Sequence, residues 1–211
     1  MMRDGQRAPK YAFVVLAATL GVAIGLGAAL IRSSHAPAAQ PELQPLAAQT
    51  TWPAGAKRAP AFSLRDQTGR ALSLSALRGH PVLLTFLDSV CKKECPIEGR
   101  ALRDVQHSLH TTGAVTVVVS VDPWADTRAS AISFARKSKW EGTWYWLLGS
   151  RTRLAAVWRA YSIGVKRERG DIAHSVVLYL IDSRGYLRAG YLFPFSTSTV
   201  VHDVHSATAT S

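Results

Sequence analysis

The sequence predicts an α/β domain built on a mixed sheet and carried on one N-terminal transmembrane helix. Three observations lead there. Val82–Leu87 and Val115–Val121 are almost unbroken apolar runs of buried-strand length, and the segment between them has helical spacing, which makes a strand–helix–strand unit. Ser175–Ile181 and Tyr186–Leu192 flank the turn residues Asp182-Ser183-Arg184-Gly185, a late β-hairpin that adds antiparallel neighbours to the sheet. The 21 residues from Tyr11 to Ile31 carry no charge. As a helix they would be about 31 Å long, close to the thickness of a bilayer's hydrocarbon.

Arg3, Arg7 and Lys10 precede that apolar stretch, so the positive-inside rule holds residues 1–10 in the cytoplasm and sends the rest of the chain outward. Ala36-Pro37-Ala38 resembles a small-residue cleavage site. Apolar regions of signal peptides run only about 7–15 residues, so residues 11–31 are read as an uncleaved anchor. That reading places a single-pass protein in the cell membrane with its folded part on the extracytoplasmic side. Residues 32–57, punctuated by Pro37, Pro41, Pro45 and Pro53, show no helical or strand period and read as a flexible Pro/Ala-rich linker. The folded domain is expected over 58–207.

Within it, Phe62 and Leu64, then Leu72 and Leu74, alternate with polar residues around Asp66-Gln67-Thr68-Gly69, an N-terminal β-hairpin extension. After the first buried strand, Pro96 opens a helix with Ile97, Ala101, Leu102, Val105 and Leu109 on its inward face, stopped by Gly113. Asp126 is placed to cap a second helix whose inward residues are Ala129, Ile132 and Ala135 or Arg136. Trp144–Leu148 is a short strand. Leu154, Val157, Trp158 and Tyr161 follow helical spacing up to Gly164, and a short terminal helix is expected near Val200–His205.

Composition bounds the function. The chain has 25 Lys and Arg against 14 Asp and Glu, a balance of +11, of which +3 lies in residues 1–32. The remainder is scattered, without the dense basic block or stripe that nucleic acid requires, so no nucleic-acid partner is expected. Two cysteines exclude a disulfide scaffold and a four-cysteine zinc site. Both lie in Cys91-Lys92-Lys93-Glu94-Cys95-Pro96, between a buried strand and a helix start. Three intervening residues form about one helical turn, bringing both sulfurs to one side. Backbone N–H groups there, with Lys92 and Lys93, favour thiolates, which both metal binding and disulfide exchange require. Two thiolates suit Cu(I), but a usable site wants a third ligand. Of seven histidines, His35 is in the linker, His80 lies at the far end of the strand, and His107 and His110 are on a polar helix face. His202 and His205 sit near the C-terminus, and His174 stands just before a buried strand. Spacing alone does not choose among them.

Further residues carry a resemblance. Ala59-Pro60-Ala61-Phe62-Ser63-Leu64, Cys91-x-x-x-Cys95-Pro96, Ser120-Val121-Asp122-Pro123 with Asp126-Thr127, Trp146-Leu147-Leu148-Gly149, and His174-Ser175 leading into Tyr179-Leu180-Ile181-Asp182 cover essentially the whole folded part. In these the sequence resembles the SCO/SenC family of membrane-anchored copper proteins that help assemble cytochrome c oxidase. The resemblance implies a thioredoxin-like sandwich, copper held as Cu(I), and also Cu(II), by Cys91, Cys95 and His174, and an orienting or tuning role for Asp122. For Asp122, capping of the following turn is an equal alternative. The implied partners are a copper-receiving oxidase subunit and other copper or thiol carriers. In place of the proline that the family usually has after its first cysteine, this chain has Lys92, followed by Lys93. Two ammonium groups favour thiolates and oppose a bound cation.

Three functions follow. The first is a metallochaperone delivering copper to the oxidase's binuclear copper site. The second is a thiol–disulfide oxidoreductase in which Cys91 attacks and Cys95 resolves; a peroxidase variant is disfavoured because Asp88, not Thr or Ser, stands three residues before Cys91. The third is a module acting through protein contacts alone, with Trp140, Trp144 and Trp146 as a binding face, although such tryptophans more often fill a core.

Overall fold

The computed structural model describes residues 45–169 and 171–209. The expected cytoplasmic N-terminus (1–10), transmembrane segment (11–31) and first part of the linker lie outside the described residues. Among the described residues no helix is long and apolar enough to cross a membrane.

Among the described residues ten strands and four α-helices follow one another: β1 (Thr50–Thr51), β2 (Ser63–Arg65), β3 (Ala71–Ser73), β4 (Val82–Leu87), α1 (Glu94–Ser108), β5 (Val115–Ser120), α2 (Arg128–Lys137), β6 (Thr143–Leu147), α3 (Arg151–Ala160), β7 (Val165–Glu168), β8 (Asp171–His174), β9 (Val177–Ile181), β10 (Leu187–Leu192) and α4 (Thr197–Ala209). A six-stranded sheet runs β1-β10-β9-β4-β5-β6. β4, β5 and β6 are parallel, whereas β9 is antiparallel to β4 and β10 to β9. The mixed sheet is therefore as the sequence predicts, and β2–β3 is the expected hairpin extension.

Strand alternation sorts the two halves of the core. Val82, Leu84 and Phe86 of β4 face a layer containing Phe62, Leu64, Leu154, Val157 and Trp158, so the hairpin and α3 cover that side. Leu83 and Leu87 face Leu102, Val105, Phe134, Val200 and Val204, so α1, α2 and α4 cover the other.

Several local expectations are corrected. Thr50–Thr51 pair with β10, and the Ala47 N–H donates to Asp203 at 2.8 Å, so the C-terminal part of the expected linker belongs to the folded unit. α4 runs to Ala209 rather than ending near His205. Helix α1 is rotated from its expected setting: Ile97 is half exposed, and the buried stripe is Cys95, Glu98, Leu102 and Val105. Gly99 explains the rotation. A Cβ there would lie 2.5 Å from Ser138 Oγ and 2.8 Å from the Phe134 ring, so only glycine lets α1 approach α2 this closely. In α2 the inward residues are Ala131, Phe134 and Ala135, with Ile132 outside. Thr127 caps it instead of Asp126, in a reciprocal pair with Ser130. α3 ends at Ala160, before Gly164: just past its end the Ser162 and Ile163 N–H groups return to Arg159 and Trp158 carbonyls while Ser162 takes φ 59°.

Candidate metal centre

The site forms where β4 ends. Asp88 turns the chain, its carboxylate accepting the Val90 N–H at 2.7 Å. Ser89 is held from the neighbouring strand's side: its N–H and hydroxyl both donate to Asp126, at 2.8 and 2.5 Å, and the Ser120 hydroxyl donates to the other oxygen of that carboxylate. This duty is why Asp126 is not the helix cap. The loop thus pinned presents Cys91, half-buried, on the wall of an open cleft of about 570 Å³. One turn on, Cys95 is the second residue of α1 and is buried among core side chains. Pro96 follows at the third position, where its missing N–H removes no helical hydrogen bond. Both cysteines are free thiols.

His174 arrives on an element the sequence did not reveal. β7 and β8 form a two-stranded antiparallel ribbon with Val165 opposite His174, where a plain loop was expected. Its exposed polar sequence, Val-Lys-Arg-Glu against Asp-Ile-Ala-His, has no apolar alternation to announce it. Lys93 Nζ lies 2.9 Å from Asp171 Oδ2 and ties the cysteine loop to the strand that carries His174. His174 Nε2 stands 3.9 Å from Cys95 Sγ, and Nδ1 stands 3.0 Å from the Ser175 carbonyl. A carbonyl only accepts, so Nδ1 carries the proton and Nε2 turns its lone pair toward the sulfur.

Burial dominates the electrostatics. It pushes the Cys95 thiol far up; hydrogen bonding from the Asp88 side opposes it, and the nearby Cys91 adds to it. The expected stabilisation of thiolate by the helix start is therefore overruled at Cys95. Burial also lowers the affinity of His174 for a proton, against the Ser175 hydrogen bond and the Asp88 charge, so the ring is kept neutral and able to donate a lone pair. Asp88 is raised by burial and by the charge of Asp122. Below Cys95, Glu98 is fully buried and raised to about 8 by desolvation, partly offset by the Thr85 hydroxyl at 2.6 Å. Its Oε2 has no hydrogen-bond partner among the described residues.

Asp122 lines the same cleft, and its carboxylate accepts the Trp124 and Ala125 N–H groups at 3.0 and 3.1 Å. The turn-capping role is thus observed, and its charge acts on Asp88. Asp88 and Glu98 were missed as site residues. Their signals were present: an acid at a buried strand's end, and an acid three residues after Cys95 in the buried helical stripe. The other described histidines stay away: His80 contacts Gly113 at the opposite end of the sheet, His107 and His110 are solvated, His202 contacts Pro45, and His205 is exposed. Trp146 is fully buried and packs with Trp140 and Phe134, so this tryptophan group fills core. Among the described residues no three His, Cys, Asp or Glu side chains lie gathered closely enough to hold a metal ion as they stand. Cys95 and His174 are brought together, and Cys91 stands beside them on the loop, packed against the same core cluster as Cys95.

The family model for SCO1/SenC matches residues 51–209. The chain belongs to the SCO1/SenC family. Among curated relatives, an SCO2-like protein of Rickettsia prowazekii (strain Madrid E) is 27% identical over 141 residues, 62% of this chain and 68% of that one. Chloroplastic peroxiredoxin Q of Oryza sativa subsp. japonica is 37% identical over 81 residues, 38% of this chain, and the match spans about a third of that relative's length (36%). Two solved family structures share the fold. Arabidopsis thaliana ScoI with copper bound has a TM-score of 0.64 at 23% identity, covering 72% of this chain and 99% of that one. Yeast Sco1 with copper bound has a TM-score of 0.63 at 19% identity, covering 74% and 90%. The thioredoxin-like α/β sandwich expected for the SCO1/SenC family is the fold of this chain.

Proposed function

We propose that this SCO1/SenC protein is a copper metallochaperone, binding copper through Cys91 Sγ, Cys95 Sγ and His174 Nε2 and passing it to the binuclear copper site of an oxidase subunit. The observation that carries the reading is the Nε2 lone pair aimed at Cys95 Sγ from 3.9 Å, with its tautomer fixed by Ser175. Two soft sulfurs and an imidazole suit Cu(I), and the same set accepts Cu(II). Cys95 gives up its proton to bind, so uptake releases protons. Cys91, on the open cleft, is the ligand that an incoming thiolate would replace first. In this reading residues 11–31 anchor the protein in the cell membrane and the domain works on the extracytoplasmic side, where copper or thiol carriers reach it.

A second reading has its own support. An accessible Cys91 beside a buried Cys95 is the attacking-and-resolving arrangement of a thiol–disulfide oxidoreductase, and the peroxiredoxin Q likeness favours thiol chemistry. There Cys91 thiolate attacks a client disulfide and Cys95 releases the reduced client, leaving Cys91–Cys95 oxidised by two electrons. Copper titration of the reduced protein beside Cys91→Ser, Cys95→Ser and His174→Ala separates the two. One equivalent with a copper–thiolate absorption band, lost in each variant, supports the chaperone. Binding indifferent to His174→Ala, together with a cycling Cys91–Cys95 disulfide, supports the oxidoreductase.

A further inference from the structure

The wall of the Cys91 cleft continues into a second surface that neither reading uses. Trp124 is 43% exposed, an unusual setting for a tryptophan four residues past the end of buried strand β5. Two guanidinium groups cover its ring, Arg167 from β7 at 4.8 Å and Arg151 from α3 at 5.6 Å. Trp124 and Arg167 line the Cys91 cleft together with Lys92, and they also line an adjoining cleft with Arg151 and Arg159. The two clefts are therefore one surface hinged on the Trp124–Arg167 contact.

Its charges are unspent. The acids lining the two clefts are already engaged: Asp171 pairs with Lys93, Glu168 pairs with Lys166, Asp122 is buried and caps its turn, and Asp88 is buried and accepts the Val90 N–H. Arg151, Arg159, Arg167 and Lys92 have no carboxylate partner among the described residues. Arg151 also opens α3, where the helix field repels a cation. An exposed Trp flanked by unpaired Arg, on concave ground next to a reactive group, has the composition that dominates protein interfaces. The stacked guanidiniums keep their edges free for bidentate carboxylate contacts while their faces rest on the indole.

We propose that this Trp124–Arg151–Arg159–Arg167 surface docks an acidic segment of the client protein and so delivers the client's sulfur to Cys91. The identification of the occupant as a client rests on Cys91 being the group presented to clients, in either reading above. Docking itself needs no thiol, so it is measured without one.

The test uses the full chain in nonionic detergent micelles and a fluorescein-labelled dodecapeptide of alternating Glu and Leu, with a Lys-for-Glu peptide as counterpart. Anisotropy is expected to show salt-sensitive binding of the acidic peptide alone. Arg151→Glu with Arg167→Glu should weaken it at least about tenfold, and Trp124→Ala should weaken it severalfold. Arg70→Glu with Arg184→Glu makes the same charge change on exposed residues elsewhere and should alter it less than about twofold. Equal losses in the two double variants would overturn the proposal, because diffuse charge would then suffice. It is also overturned if the acidic peptide fails to bind while brominated phosphatidylglycerol, added to the micelles, quenches fluorescence that Trp124→Phe removes; the face would then meet anionic lipid. Cys91→Ser with Cys95→Ser should bind the peptide unchanged, so a failed copper titration leaves the docking result standing, and the reverse.

Discussion

Cys91 and Cys95 are separated by only three residues in sequence and occupy different media. Around Cys91 the loop is open to a cleft lined by charged groups of both signs, among them Lys92, Lys93 and Arg167 against Asp88, Asp122 and Asp171. Around Cys95 the first turns of α1 face the sheet, the sulfur is buried, and the next polar group along the buried stripe is Glu98, whose own burial holds its proton up to about 8. A helix N-terminus contributes a favourable field to both thiols. At Cys95 desolvation is the larger effect and holds the proton on sulfur. The comparison teaches that a cysteine pair at a helix start need not be a pair of equals: one is presented, and one is kept.

Reactivity is the sharpest way to break that comparison. Iodoacetamide at pH 8 should alkylate Cys91 at least about 100-fold faster than Cys95 in the folded, reduced protein. Intact mass measured over time on Cys91→Ser and Cys95→Ser gives each rate separately, and equal rates would abolish the distinction.

The second test concerns what burial costs at the kept end. Glu98 binds its proton up to about 8 when folded, against an ordinary value of 4.5 in the unfolded chain. Between those values the unfolded chain releases a proton that the folded protein retains, so stability present at low pH is lost as pH rises toward 8. Urea unfolding should show a fall on the order of 2 kcal/mol from pH 6 to 8.5. Glu98→Gln should flatten the slope, and an unchanged slope would move its origin elsewhere.

The smallest effect is expected at the presented end. Lys93 and Asp171 form an exposed pair, and such pairs add little to stability. Lys93→Ala should leave the urea midpoint unchanged within error while loosening the ribbon, read as faster amide exchange at Ile172 and His174. Protection that survives the substitution would show that the ribbon is held without the clamp.

What was legible in the sequence follows burial. β4 is found at its expected bounds because six successive residues are buried on both faces, and such a run has one reading. Helix α3 is likewise legible, since Leu154, Val157 and Trp158 share one stripe. The rotation of α1 was not, because Ile97 and Glu98 are a poor guide when Gly99 sets the helix's distance from α2. The ends of α2 and α3 were also hidden: Lys139 and Ser162 take left-handed φ values of 56° and 59°, where a glycine would have given a signal. At the site, Cys91 and Cys95 announce themselves by spacing. His174 was selected by family resemblance, and the exposed ribbon that carries it leaves no hydrophobic period to read.

By itself, then, the sequence determined the sheet's core strands, the pairing of two cysteines with a helix start, and a family in which a histidine joins them, because apolar periodicity and short-range spacing are local properties of the chain. Only the tertiary structure decided that Cys95 is kept protonated, that Nε2 of His174 faces it, that Glu98 is sealed beneath it, and that Trp124 gathers arginines from α3 and β7. Each of those depends on which distant segments exclude water from a side chain or bring a charge to it, and that is fixed by packing across the fold.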